Sequence, residues 1–301
     1  PRSFFVRLLR RQVLRPAPAP CSSSGWRGSC PSVLDSIESW ILFRRFHPYS
    51  SNMSDLVQLD TSDSTSKEHI YVLPEVYALN EEIITNRRWF HAHPELSFEE
   101  VNTAAKIVEI LKSYGITEIY EQIGKTGVVA LIRGSQDGPC IGLRADMDAL
   151  PLTETANVSY KSQNDGAMHA CGHDGHISGL LATAKILFSE RESLKGSVKL
   201  VFQPAEEGYA GAKAMLNDGV LDNKFGPKVD EIYGIHLWSF SPLGDVGCQD
   251  GPVMAASDRF TITVKGQGGH GAAPHQTVDA IVEAATLVTS LQTVISRSKV
   301  E

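Results

Sequence analysis

A chain of 301 residues, 42% hydrophobic and 21% charged, can bury a sizeable core, which excludes a protein disordered along its whole length. No apolar run approaches the ~18 residues of a membrane-spanning helix, and the formal net charge of −7 argues against a nucleic-acid-binding surface. Five cysteines at 21, 30, 140, 171 and 248 are scattered and odd in number, so they suggest no disulfide framework and suit a reducing, intracellular compartment.

Residues 1–50 hold eight arginines and no lysine against only Asp35 and Glu38, whereas the remainder is acidic on balance. This Arg-rich, acid-poor segment resembles a mitochondrial transit peptide, the cytoplasm being the alternative location. The first residue is Pro1, and Met53 is a candidate initiator. A Pro-Ala-Pro-Ala-Pro run at 16–20 and Ser-, Gly- and Asp-rich stretches mark residues 1–70 as a disordered or targeting segment, with a short helix expected only at 33–46.

Pro74 opens an amphipathic pattern through Val76, Leu79, Ile83 and Arg87 that predicts a helix to about Phe90. His91, His93 and Pro94 follow, and the proline ends the element. The two histidines could be ligands, but a helix end supplies backbone partners that favour a structural role. Ser97 with Glu100 has the spacing of a capping box, ahead of a helix that Gly115 stops. Apolar runs at 127–132, 140–144, 197–202 and 231–238 read as strands buried on both faces. Helices are expected at 177–188 and 211–216, and the alternation implies an α/β sheet with helices on both sides. After Gly251 and Pro252 the texture changes to a half-exposed strand at 259–264, a glycine-rich loop at 266–274 and a long helix at 278–295. A domain boundary is placed near 255, dividing 71–255 from 256–301.

The chemistry concentrates in Met-His-Ala-Cys-Gly-His-Asp-Gly-His at 168–176. Thiolate, imidazole and carboxylate donors are those that divalent transition metals take, and Cys171 with His173 is the favoured pair. Three further clusters fall at or after predicted strand ends, where open α/β sheets gather ligands. Asp146 and Asp148 follow the strand at 140–144 and point to one side of it. Glu206 and Glu207 follow the strand at 197–202, where one carboxylate could bind a metal and the other shuttle a proton from water to a leaving amine. His236 ends the strand at 231–238 and alone is a weak ligand candidate. His270 and His275 lie in the glycine-rich loop, where His270 could donate a hydrogen bond to a developing oxyanion.

Six motifs, taken together, resemble the peptidase M20 metallohydrolases, and more closely their amidohydrolase branch of hippurate, N-acyl-amino-acid and auxin-conjugate hydrolases. They are Arg-Arg-Trp-Phe-His-Ala-His-Pro-Glu-Leu-Ser-Phe-Glu-Glu at 87–100, Leu-Arg-Ala-Asp-Met-Asp-Ala-Leu-Pro at 143–151, the 168–176 stretch, Gln-Pro-Ala-Glu-Glu-Gly at 203–208, Gly-Ile-His at 234–236 and Gly-Gly-His-Gly-Ala-Ala-Pro-His at 268–275. The resemblance implies an α/β catalytic domain interrupted by a smaller α+β lid that forms homodimers. It further implies hydrolysis of the amide bond of N-acyl or N-aroyl amino acids by two divalent ions. Zn²⁺ or Mn²⁺ is expected, with Co²⁺ or Ni²⁺ as alternatives. Cys171, His173, Glu207 and His236 match the metal ligands, Glu206 the general acid/base and Asp148 the aspartate beside the metals. His270 matches the lid histidine that reaches a neighbouring site across the dimer.

The family's catalytic domain resumes after the lid with a further histidine ligand, whereas this chain stops at Glu301, so the resemblance implies a C-terminally truncated piece with only part of the lid. Two alternatives stand beside the metallohydrolase. One is a non-catalytic metal-binding or dimerising homologue or fragment. The other is a hydrolase using Cys171 as nucleophile, which no oxyanion-hole elbow accompanies.

Overall fold

The computed structural model describes residues 3–9, 57–58 and 71–298, apart from 243, 249 and 255–259. Within the segment expected to be disordered or cleaved it assigns strands β1 (Ser3–Leu9) and β2 (Val57–Gln58), while the helix expected at 33–46 lies outside the described residues. The chain separates into two compact units, Pro1–Val253 and Met254–Glu301.

The first unit is a mixed α/β fold. Besides β1 and β2 its strands are β3 (Tyr71–Val72), β4 (Ile119–Ile123), β5 (Gly127–Arg133), β6 (Gln136–Asp146), β7 (Lys195–Gln203), β8 (Glu231–Trp238) and β9 (Val246–Gly247). The helices are α1 (Pro74–Ala78), α2 (Asn80–Ala92), α3 (Val101–Ser113), α4 (His173–Ser189) and α5 (Gly211–Asn217). Seven strands form one sheet in the order β4-β5-β7-β6-β8-β1-β9, and β2 pairs with β3 separately. The centre is parallel, β6 lying between β7 and β8, whereas β5 runs antiparallel to both β4 and β7.

The apolar runs of β5 and β7 are buried on both faces, as their lack of alternation requires, whereas β6 is buried mainly at alternate positions and β8 is only half-buried, with Ile235 exposed, contrary to expectation. Val128, Ala130, Ile132, Leu200 and Phe202 pack with Phe90, Ile107, Leu111, Ile177 and Leu181 from α2, α3 and α4. Val129 and Val201 face the other way, onto Met215, Val220 and Phe225 around α5. Strand β4 escaped sequence reading because Tyr120, Glu121 and Gln122 break its apolar pattern; Gln122 sits at φ 61° where the β4–β5 register shifts. The predicted helix from Pro74 is two helices, with Leu79 at ψ 0° between them.

The predicted capping box does not form. Helix α3 starts after Glu100, whose side chain makes no cap hydrogen bond, and Glu95 caps the helix in its place. The Glu95 carboxylate accepts the N–H groups of Asn102 at 3.1 Å and Thr103 at 2.8 Å. Ser97 and Glu100 turn inward instead.

In the second unit residues 260–264 carry no strand, contrary to expectation. A strand needs a neighbour to satisfy its ladder, and among the described residues of this unit the only pairing is the single bridge Gln267–Val278. Helix α6 (Ala280–Ser298) follows, its first turn capped by Asp279 Oδ1, which accepts the N–H groups of Ile281 at 2.9 Å and Val282 at 3.2 Å.

Candidate metal centre

Because β6, β7 and β8 are parallel, their C-terminal ends share one edge of the sheet, and the polar clusters read from the sequence come off that edge together. Asp146 closes β6, Glu206 and Glu207 follow β7, and His236 lies near the end of β8. The fourth contribution is the start of α4. Gly172 precedes that helix at φ 86°, a conformation that a side chain resists, and so separates Cys171 from His173 by a sharp turn. At Gly175 a Cβ would stand 2.4 Å from Leu237 Cδ1, so glycine is what lets the helix start approach the end of β8.

Three groups of donors share His173. Cys171, His173 and His236 form one, His173, Glu206 and Glu207 another, and Asp146, His173 and His176 the third, the donor atoms of each lying within 4.8 Å of one another. Both imidazoles are oriented by their Nδ1 atoms, which donate to main-chain carbonyls: His173 to Asp148 O at 2.8 Å and His236 to Leu237 O at 2.7 Å. Their Nε2 lone pairs therefore point to the cluster, that of His236 at 3.5 Å from Cys171 Sγ and that of His173 at 3.8 Å from Glu207 Oε1. Such separations suit two ligands of one ion at metal–ligand distances of ~2.0–2.3 Å. His173 Nε2 and Glu207 Oε1 are buried and lack a hydrogen-bond partner. A divalent cation would remove that deficit, so the residues present fit a metal.

The electrostatics follow from this crowding. Contacts with the His173 and His236 imidazoles hold the Cys171 thiol below its usual pKa, towards the thiolate that metals bind. Burial pushes the Glu207 carboxyl up, assisted by the charge of Glu206. For Asp148 burial is the largest influence and acts upward, but hydrogen bonds from His173, Ser97 and the Glu207 N–H outweigh it and hold the carboxyl low.

Outside the donors lies a shell of orienting contacts that sequence reading only partly foresaw. His176, one turn beyond His173, donates from Nδ1 to Asp146 Oδ1 at 2.5 Å and accepts the Leu237 N–H on Nε2 at 2.8 Å. Asp146 is paired with Arg144 at 2.8 Å. The signal was the i, i+3 spacing of the two histidines on one helix face. His169 is buried with neither ring nitrogen partnered, and burial lowers its pKa to about 4.

His93 is structural, as expected: its Nδ1 donates to Trp89 O at 2.7 Å and its ring stacks on Trp89. His91 does more, with Nδ1 2.7 Å from Asp174 Oδ2 and Nε2 3.1 Å from Glu154 Oε1. The Asp174 hydrogen bond raises the His91 pKa, against the opposing effect of burial. The stability this pair contributes is present in full below the ordinary histidine value of 6.5 and disappears as pH rises through the raised folded value. Urea unfolding of the native protein and of His91→Gln between about pH 6 and 9 should therefore show a stability gap that closes with rising pH. A gap constant across that range would contradict it.

His270 and His275 belong to the second unit, where both are exposed and His270 Nδ1 accepts the Ala272 N–H at 3.1 Å.

The sequence profile of Peptidase family M20/M25/M40 matches residues 142–299, just over half of the chain. An N-acyl-L-amino acid amidohydrolase of Geobacillus stearothermophilus is 48% identical over 217 residues, 72% of this chain and 57% of that protein. A hippurate hydrolase of Campylobacter jejuni is 45% identical over 227 residues, 75% of this chain and 58% of its own length. Among solved structures, a candidate aminohydrolase from methicillin resistant Staphylococcus aureus superposes with a TM-score of 0.56 at 36% identity, covering 75% of this chain and 59% of that one. The chain thus spans little more than half the length of these relatives. With its sheet-edge cluster of thiolate, imidazole and carboxylate donors and a profile match that runs through Cys171, His173, Glu207 and His236, the chain belongs to Peptidase family M20/M25/M40.

Proposed function

We propose that this chain carries the metal-binding part of an amidohydrolase that splits N-acyl or N-aroyl amino acids into a free amino acid and a carboxylic acid. The observation that carries the reading is the convergence of buried, partnerless His173 Nε2 and Glu207 Oε1 beside Cys171 and His236. These four residues would hold two divalent ions, His173 belonging both to the group with Cys171 and His236 and to the group with Glu206 and Glu207. Mixed sulfur, nitrogen and oxygen donors suit Zn²⁺, with Mn²⁺ as the alternative. When bound, such ions polarise a carbonyl and acidify a water.

The chain's own groups supply the proton traffic. Glu206, exposed on the turn after β7, takes a proton from the attacking water on its carboxylate and delivers it to the amide nitrogen as the C–N bond breaks. Asp148 fixes the site's frame, accepting the Glu207 N–H at 3.0 Å and the Ser97 hydroxyl at 2.6 Å. His270, supplied by the second unit of a neighbouring copy, would donate to the oxyanion. The relatives' names support the substrate class.

The test is hydrolysis of N-benzoyl- and N-acetyl-amino acids by the full-length protein, with metal content measured in parallel. Chelation should abolish turnover and added Zn²⁺ or Mn²⁺ restore it. Full turnover by protein stripped of metal would overturn the reading.

A further inference from the structure

The two residues that abandon the capping box converge on the turn that carries Glu206. Glu100 is fully buried, 105 residues away in sequence from its partner Ala205. One of its carboxylate oxygens accepts the Ala205 N–H at 2.8 Å and the other accepts the Thr126 hydroxyl at 2.5 Å. Ala205 stands at φ 49°, in the left-handed region that a residue with a Cβ rarely occupies unless its surroundings enforce it. On the other side of Glu206, the Glu207 N–H is held by Asp148, which Ser97 holds in turn. Two carboxylates from different elements thus grip the main chain immediately before and after Glu206, while the Glu206 side chain stays exposed. Two further bonds close the turn, Gly208 N–H to Glu206 O at 2.7 Å and Gly211 N–H to Ala205 O at 3.0 Å.

A buried carboxylate is costly, and helix α3 has no use for this one because Glu95 caps it. Besides local hydrogen bonds from the main chain of Phe98 and Glu100, two contacts serve one end: Thr126, just ahead of β5, fixes the carboxylate, and the carboxylate fixes Ala205. We propose that Glu100 is a positioning residue for amide hydrolysis, holding the left-handed turn at Ala205 so that the adjacent Glu206 carboxylate faces the reacting bond. This rests on the reading of Glu206 as the proton carrier. Glutamine at position 100 could still accept the Ala205 N–H through its carbonyl while its amide donates to the Thr126 oxygen, so it is the conservative replacement.

The experiment compares Glu100→Ala, Glu100→Gln and Thr126→Val in the metal-loaded full-length protein, with Glu206→Gln as control. Glu100→Ala should lower kcat by about 10- to 100-fold, the scale of a small misplacement of a catalytic group, with KM and bound metal little changed. In the metal-free protein the Ala205 amide should exchange faster with solvent. Glu100→Gln should retain most of kcat, and Thr126→Val should fall between them. Native kcat in Glu100→Ala, or equal losses in the Ala and Gln variants, would overturn the proposal. If Glu100→Ala does not fold, Thr126→Val decides: lowered kcat with faster Ala205 exchange supports the proposal, and native kcat overturns it. Should Glu206→Gln itself keep full activity, the proton-carrier reading fails, a result distinct from failure at Glu100.

Discussion

Glu206→Gln should lower kcat by about 10²- to 10⁴-fold, the range for removing a positioned general acid/base, while the bound metal stays at its native stoichiometry. Glutamine preserves the size of the side chain and its place on the turn, whose geometry is set by the main-chain bonds of Ala205, Glu207 and Gly208. What it loses is the capacity to take and return a proton. Glu207 cannot substitute, because its Oε1 is buried next to His173 Nε2 and is committed to the donor cluster. Steady-state kinetics with elemental analysis checks this. A parallel loss of metal and activity would mean that Glu206 is a ligand, and unchanged kcat would mean that it is a bystander.

His173→Ala should remove the ion that its Nε2 would hold and weaken binding at the donor group beside it. This histidine is the member common to the donor groups, and its ring is fully buried and held by Asp148. Losing even an outer-shell partner costs about 10- to 100-fold in metal affinity, so loss of a direct ligand should exceed about 100-fold and take activity with it. Alanine would also leave Asp146, Asp148 and Glu207 close together without the imidazole between them. Titration of the metal-free variant with Zn²⁺, followed by equilibrium dialysis, provides the check. Retention of one tightly bound ion would show that the donor groups act independently.

Part of this architecture is written in local pattern. The unbroken apolar runs of β5 and β7, the turn residues around them and the helical repeat from Val101 to Leu111 each report burial that depends on near neighbours only, so their positions could be read directly. The 168–176 stretch was equally legible, since three histidines and a cysteine within nine residues have few purely structural explanations. Strand β4 was not, because an edge strand can be polar and needs only a partner to pair with. The strand expected at 259–264 is absent over 260–264 for the converse reason, its alternation meeting no partner among the described residues of that unit.

Ser97 and Glu100 show where local reading ends. Their spacing is that of a cap, yet Glu95 competes for the same N–H groups and wins, and nothing in the 97–100 segment reports that Asp148 and Ala205 wait on other elements. By itself the sequence determined the α/β class, the kinds of donor available and their grouping at strand ends, because residue chemistry and short-range periodicity travel with the chain. Only the tertiary structure decided which donors share His173, that His176 supports the end of β8 through Leu237, and that Glu100 grips the turn before Glu206. Those contacts reach across as many as 105 residues and depend on which strand ends the parallel register of β6, β7 and β8 brings together, rather than on any local pattern.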